Sequence, residues 1–195
     1  MSKDQNIIYF VTRNKHKYNE VSNLFKRERL NCKLKQLDLE TIEIQAESIR
    51  EVALFKLNSV KKKIKNSFFI EDAGFFVDFP LNGFPGVYSS YVLKTIGNKG
   101  LLKLINDYDN SRAHFSAIAC LYYKPLNETI LFEGEIKGKV SKKMKGKEGF
   151  GFDPIFIPDL FPNKTFAELA TEEKNSISHR GQAVKELINF LKENI

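Results

Sequence analysis

Three short apolar runs near the start of the chain, separated by two stretches of helical periodicity, constrain the fold more than any other feature. NIIYFVT (residues 6–12) is continuously apolar and of strand length, the pattern of a strand buried on both faces. NKHKYNEVSNLFKRE then places Val21, Leu24 and Phe25 at helical spacing. NCKLKQLDL brings Cys32, Leu34 and Leu37 into imperfect alternation, a second strand. ESIREVALFKLNSVKKKI puts Ile49, Val52, Ala53, Leu57, Val60 and Ile64 on one helical face, and SFFIEDAG reads as a third short strand. A β-α-β-α-β start predicts parallel strands covered by helices.

The middle of the chain changes character. PLNGFPGVYSS is rich in turn residues, and GVYSSYVLKTIGNKGLLKLIND predicts two helices broken near Gly97 and Asn98. AHFSAIACLYY and ETILFEGEIKGKVS predict a long antiparallel pair joined at Pro125, Leu126 and Asn127. SISHRGQAVKELINFLKEN carries Ala183, Leu187, Phe190 and Leu191 on one face, a closing helix. The expectation is a single α/β domain over 1–195 with two lobes. One lobe is drawn from both termini, roughly 1–80 and 165–195, and the other, mostly strand and helix, from roughly 81–164.

Composition narrows the function. With 42% hydrophobic and 28% charged residues, the chain reads as a soluble globular protein. No apolar run approaches the ~18 residues of a membrane span. MSKDQNIIYFVT is not a secretory signal, because its apolar run is short and lacks a small-residue cleavage site. Cys32 and Cys120, alone and far apart, indicate neither a zinc site nor a disulfide framework, so a reduced, cytoplasmic protein is expected. A formal charge of +7 favours polyanionic ligands, whether nucleotides or nucleic acid. Most of the 17 Phe sit in apolar runs rather than among Lys and Arg, which argues against a stable nucleic-acid complex.

Polar chemistry collects in five places. Thr12, Arg13, Asn14, Lys15, His16 and Lys17 span the end of strand one and the start of helix one, where backbone N–H groups and the helix dipole favour an anion; the plain alternative is a capped helix with solvated lysines. Glu71 and Asp72 follow an apolar strand and precede a small-residue turn, so they should project from the strand end. That is the ligand edge of an open α/β sheet, and two acids there suit Mg²⁺. Glu43, in the loop before helix two, is either on that ligand side or an ordinary surface glutamate. In EGFGFDP, Gly149 and Gly151 let the backbone approach a ligand. Phe150 and Phe152 offer flat faces for a base, and Asp153 an acceptor. In KNSISHRGQ, Ser178 can cap the last helix, leaving His179 and Arg180 in its first turn with Lys174 nearby. The helix dipole opposes cations there, which suggests a compensating anion or carbonyl on a ligand.

Taken in this order, TRNKHKYNE, IEDAGFFVDFPLNGFPGVYS, GFGFDPIFIP and TFAELATEEKNSISHRGQA resemble the inosine triphosphate pyrophosphatase family, over nearly the whole chain. The resemblance implies an elongated α/β protein with a mixed sheet, flanking helices and two lobes around a nucleotide cleft, usually a homodimer. It implies Mg²⁺-assisted hydrolysis of non-standard purine triphosphates (ITP, dITP, XTP) to the monophosphate and pyrophosphate. Carried over residue by residue, Thr12, Asn14 and Lys17 would hold the triphosphate. Asp72 would bind Mg²⁺ and act as general base, with Glu43 as a second ligand and Glu71 beside them. Phe150 would stack on the purine, Asp153 would lie near base and ribose, and Lys174, His179 and Arg180 would read the base edge. Three departures stand out: Arg13 replaces a common Gly, Ala73 replaces a common Ser, and a helix-two lysine of many relatives falls at Asn58, two residues from Lys56.

Overall fold

The computed structural model describes residues 7–195, so the expected start of strand one at Asn6 lies outside the described residues. β1 (Ile7–Val11), α1 (Lys15–Glu28), β2 (Lys33–Leu37), α2 (Ile49–Lys61) and β3 (Phe68–Phe79) form the opening β-α-β-α-β. β1 pairs in parallel with β2 on one side and β3 on the other, as the alternation of strands and helices predicts. After the short β4 (Phe84–Gly86) come α3 (Ser89–Thr95) and α4 (Gly97–Leu104), broken where the Gly97-Asn98 signal falls. β5 (Arg112–Tyr123) and β6 (Glu128–Val140) form the long antiparallel pair, then β7 (Phe156–Pro158), α5 (Thr171–Ile177) and α6 (His179–Asn194) complete the chain. The mixed sheet runs β2-β1-β3-β5-β6-β7, with β4 attached to β3. Among the described residues no helix is long and apolar enough to cross a membrane.

Strand alternation divides the core. Phe69, Ala117, Ala119 and Leu121 face α1 and α6, packing on Val21, Phe25, Ala183, Leu187 and Leu191. Phe68, Ile70, Ile118 and Cys120 face α2, packing on Ile49, Ala53, Leu57 and Val60. A third cluster, with Phe75, Phe115, Phe152, Phe156 and Phe166, fills the middle of the chain. β3, β5 and β6 contribute to more than one of these clusters, so one sheet carries all three.

β3 corrects one expectation. The acids of IEDAG do not sit at a strand end: β3 continues to Phe79, paired with β5 along its length. The parallel neighbour ends first. β1 pairs with β3 only at Phe68 and Phe69, so Glu71 and Asp72 emerge just where β1 stops covering that edge. They therefore reach the carboxyl edge of the parallel strands without leaving the sheet.

Caps hold the helices that carry site residues. Asn14 Oδ1 accepts from the His16 and Lys17 amides at 2.9 and 3.3 Å. Ser48 and Glu51 form a reciprocal capping box on α2. Ser178 Oγ accepts from Gly181 N at 3.0 Å at the start of α6. That end of α6 lies against β6 because Gly134 is bare there: a Cβ would fall 2.1 Å from the His179 carbonyl oxygen.

Candidate active site

An open cleft of about 1480 Å³ runs between the edge of the sheet and α3. This exceeds the ~300–1,000 Å³ typical of small-ligand pockets and leaves room for an extended ligand. Thr12, Arg13, Asn14, Lys17, Glu43, Glu71, Asp72, Ala73, Phe150, Gly151, Phe152, Asp153, Lys174, His179 and Arg180 all line it. Lys15 and His16 do not, although the exposed His16 ring stacks on Phe150 with centroids 5.3 Å apart. Arg13 turns outward and pairs with Asp38 at 3.5 Å and Glu40 at 3.9 Å. The amides of His16 and Lys17 are already engaged by the Asn14 cap, so the anion site expected at α1 shares its donors with a side chain.

Neighbouring residues on a strand face opposite ways, and this separates the two acids. Glu71 joins the α1 and α6 side, where its side chain is fully buried between Lys17 Nζ at 2.9 Å and Arg180 Nη2 at 3.1 Å. Asp72 joins the α2 side, where Oδ1 accepts from Lys56 Nζ at 2.7 Å. The expectation that Glu71 and Asp72 act together on a metal is therefore corrected: both cations beside Glu71 come from the chain itself, and its partner acid points away.

Glu71 begins a buried ladder of alternating charge. Arg180 Nη1 donates to Glu20 at 2.7 Å, Lys174 Nζ bridges Glu20 at 2.8 Å and Asp153 at 2.7 Å, and Asp153 accepts from the Phe150 amide at 2.8 Å. From Lys17 to Asp153 the ladder holds three cations and three anions. Buried charges persist only when paired in this way. The cations Lys174 and Arg180 at the last helices are thus compensated by Glu20, Glu71 and Asp153, not by a ligand as their sequence placement suggests. Arg180 Nε is buried without a hydrogen-bond partner. His179 lies flat on Phe115 at 4.7 Å, and burial, with Arg180 beside it, holds its imidazole well below the usual range and so neutral.

The GFGFDP loop presents one aromatic face, not two. Phe152 is 3% exposed and stacks on Phe75 in the core, so it is no platform for a base. Phe150 faces the cleft, with Lys174 Nζ 5.0 Å and Arg180 Cζ 5.4 Å from its ring centre. Gly149 has φ +73°, and a Cβ there would fall 2.2 Å from Asp153 Oδ2. The loop needs that glycine for Asp153 to reach both Lys174 and the Phe150 amide.

Two residues escape sequence reasoning. Lys56 Nζ bridges Asp72 Oδ1 at 2.7 Å and Glu43 Oε1 at 2.5 Å. Counting without gaps pointed to Asn58, which is exposed, whereas Lys56 is buried. The signal is that Lys56 falls inside the stripe Ile49, Val52, Ala53, Leu57, Val60, where a lysine is out of place unless it has a partner. Glu20 is the same case on α1, beside Val21 and one turn from Lys17. Lys94 of α3 also lines the cleft, and Lys56 above all, with Lys17 and Lys94, holds the Glu43 carboxyl below its usual range.

Asp72 and Asp153 are the two carboxyls of this set that lie above their usual range; Asp72 is the one beside Lys56. Burial pushes its carboxyl up, Lys17 and Lys56 pull it down, and the net direction is up. Its Oδ2 is buried without a partner. Among the described residues no three metal-ligating side chains gather at one point, so Asp72 and Glu43, linked through Lys56, offer two hard oxygen donors of the kind that Mg²⁺ takes together with substrate oxygens.

Comparison with known proteins gives the family of the chain. The Ham1 family model matches residues 8–190. A dITP/XTP pyrophosphatase of Thermococcus kodakarensis is 45% identical over 186 residues, 95% of this chain and 97% of that protein. One from Pyrococcus horikoshii is 43% identical over 188 residues, 96% of this chain and 98% of its own. The solved structure of the Staphylococcus aureus Ham1 protein superposes with a TM-score of 0.81 at 28% identity, covering 97% of this chain and 100% of that one. The HAM1 protein from Coxiella burnetii gives the same TM-score at 27% identity, covering 96% and 99%. A family match across nearly the whole described chain, on a fold shared end to end, means that this chain belongs to the Ham1 family.

Proposed function

We propose that the chain hydrolyses non-standard purine nucleoside triphosphates, of the dITP, ITP and XTP class, to the monophosphate and pyrophosphate. The observation that carries this reading is that Asp72 and Phe150 line one cleft, which Lys17, Glu71, Arg180, Lys174 and Asp153 of the charge ladder line as well. An aromatic platform at one end and a hard-oxygen site at the other match a base and a polyphosphate. The curated relatives named above support the same substrate class.

Asp72 and Glu43 would hold Mg²⁺, which when bound offsets charge on the phosphate oxygens. Asp72, raised by burial, orients a water and accepts its proton as that water attacks the α-phosphorus. Lys17 and Lys56 supply positive charge around the triphosphate, and pyrophosphate leaves in line with the attacking water. At the other end, Phe150 stacks on the base and Arg180 Nε donates to a 6-oxo group. Adenine offers an amine there, which would leave that donor unpaired, so ATP is rejected. A homodimer in the cytoplasm belongs to the same reading.

A panel of triphosphates with Mg²⁺, assayed for pyrophosphate, tests the function. Release from dITP, ITP and XTP well above ATP is expected; orthophosphate in place of pyrophosphate, or no preference for oxo-purines, would overturn it. The two loop phenylalanines should separate cleanly. Phe150→Ala is expected to cost ~1–3 kcal/mol of base stacking, read as a rise in KM at nearly unchanged Tm. Phe152→Ala should instead cost ~3–5 kcal/mol of folding stability as a core truncation. Equal effects of the two on KM and Tm would show that Phe150 is not the platform.

A further inference from the structure

Lys56 occupies the place that the metal reading reserves for a divalent ion. Its ammonium lies 2.7 Å from Asp72 Oδ1 and 2.5 Å from Glu43 Oε1, the two acids assigned to Mg²⁺. Its backbone is anchored in the buried stripe of α2, while Glu43 comes from a loop and is 69% exposed in its side chain. One carboxylate oxygen of Asp72 is spent on the ammonium and the other is open.

We propose that Lys56 is a resident counter-ion that keeps a divalent metal off Glu43 and Asp72 until a metal–triphosphate complex arrives, so that metal and nucleotide enter together. This rests on the pyrophosphatase reading only for assigning those two acids to the metal. In the free chain the acids carry two negative charges, and Lys56 offsets one of them at direct contact. A divalent ion arriving alone meets a neighbouring cation and a carboxylate oxygen already in use. A triphosphate reverses the balance, because its oxygens offer the ammonium a more highly charged partner. Lysine suits this exchange: its ammonium is a compact point charge on a flexible four-carbon stem, free to swing from carboxylate to phosphate. Metal-free protein is then stable without a metal, because its acids are never left bare.

The test is Mn²⁺ binding to the full chain without nucleotide, followed by loss of the free Mn²⁺ spin-resonance signal. Wild type should bind weakly, and Lys56→Gln should bind about tenfold or more tightly, because the contacting cation is gone. Adding Asp72→Asn to Lys56→Gln should abolish the gain. Lys94→Gln removes a cation that lies near Glu43 but is exposed on the opposite wall. It should change affinity by less than about threefold, since solvent screens it. Equal binding by wild type and Lys56→Gln, or an equal gain from Lys94→Gln, would overturn the proposal. If Lys56→Gln does not fold, wild type decides alone. Tight nucleotide-free binding that Asp72→Asn removes would overturn the proposal, and weak binding that tightens when a non-hydrolysable triphosphate is added would support it. No turnover enters the titration, so its failure leaves the pyrophosphatase reading intact; absence of pyrophosphate release in the substrate panel would strike that reading and not the counter-ion.

Discussion

Asp72→Asn is expected to lower turnover by ~10²–10⁴ while nucleotide binding stays within about tenfold of wild type. The substitution keeps the shape of the side chain, and its Oδ1 can still accept from Lys56. It removes the negative charge and the proton acceptor. Both matter because of where β3 places this residue. It stands just past the end of β1, mostly buried, with an oxygen that no protein group uses. Burial also answers a chemical objection: an ordinary aspartate, near pKa ~3.9, is a weak base at neutral pH. Desolvation moves Asp72 up, which would make it a better base in the proposed reaction. The check is kcat for ITP alongside a calorimetric Kd for the same nucleotide under non-turnover conditions. Near-normal kcat would remove Asp72 from the reaction.

Glu71→Gln should destabilise the fold by ~3–5 kcal/mol, although Glu71 is not assigned to the chemical step. The amide leaves Lys17 and Arg180 facing a neutral group in a dry site, and Arg180 passes the imbalance to Glu20. For a chain of this length such a loss corresponds to roughly 2–4 °C in Tm per kcal/mol. The acid limb of stability should change as well. Burial pushes the Glu71 carboxyl up, but Arg180 and Lys17 outweigh it and hold it at about 2, against 4.5 when free. The folded value is below the unfolded one, so the contribution of Glu71 is fully present above the unfolded pKa. It is lost as the pH falls through about 2. Glu71→Gln lacks this titration. The stability gap between wild type and variant should therefore narrow on acidification over that window, measured by denaturant unfolding at each pH. A gap below about 1 kcal/mol at neutral pH would mean that the Glu71 pairs contribute no more than surface ion pairs do.

The effects differ in kind because the two acids, adjacent in sequence, belong to different faces of the sheet. In the sequence, Glu71-Asp72 reads as a pair of acids. Period-two alternation is visible there too, but it assigns faces only once the strand is known to continue. Ala73 and Gly74 look like a turn, and they are strand because β5 pairs with them through Ala117 and Ser116. The same limit explains Phe150 and Phe152. Both lie in one glycine-rich loop, and only the packing of Phe152 on Phe75 separates the buried ring from the half-buried one that lines the cleft. Lys56 and Glu20 mark the opposite case. Each is a charge inside an apolar stripe, a local anomaly legible before any partner is known.

What could be derived from the chain alone was local in origin. Apolar spacing defined the opening strands and helices, their alternation made the first sheet pairs parallel, and the Gly97 break and the last helix lay where turn and cap residues put them. These features depend on neighbours within one or two turns, which the residue order records. The pairing of charges does not. Arg180 meets Glu20 across 160 positions and Lys174 meets it across 154, and nothing in the spacing of those residues foretells the contact. Folding chose those partners, because desolvating one cation in the core makes an acid from elsewhere in the chain the cheapest way to keep it there.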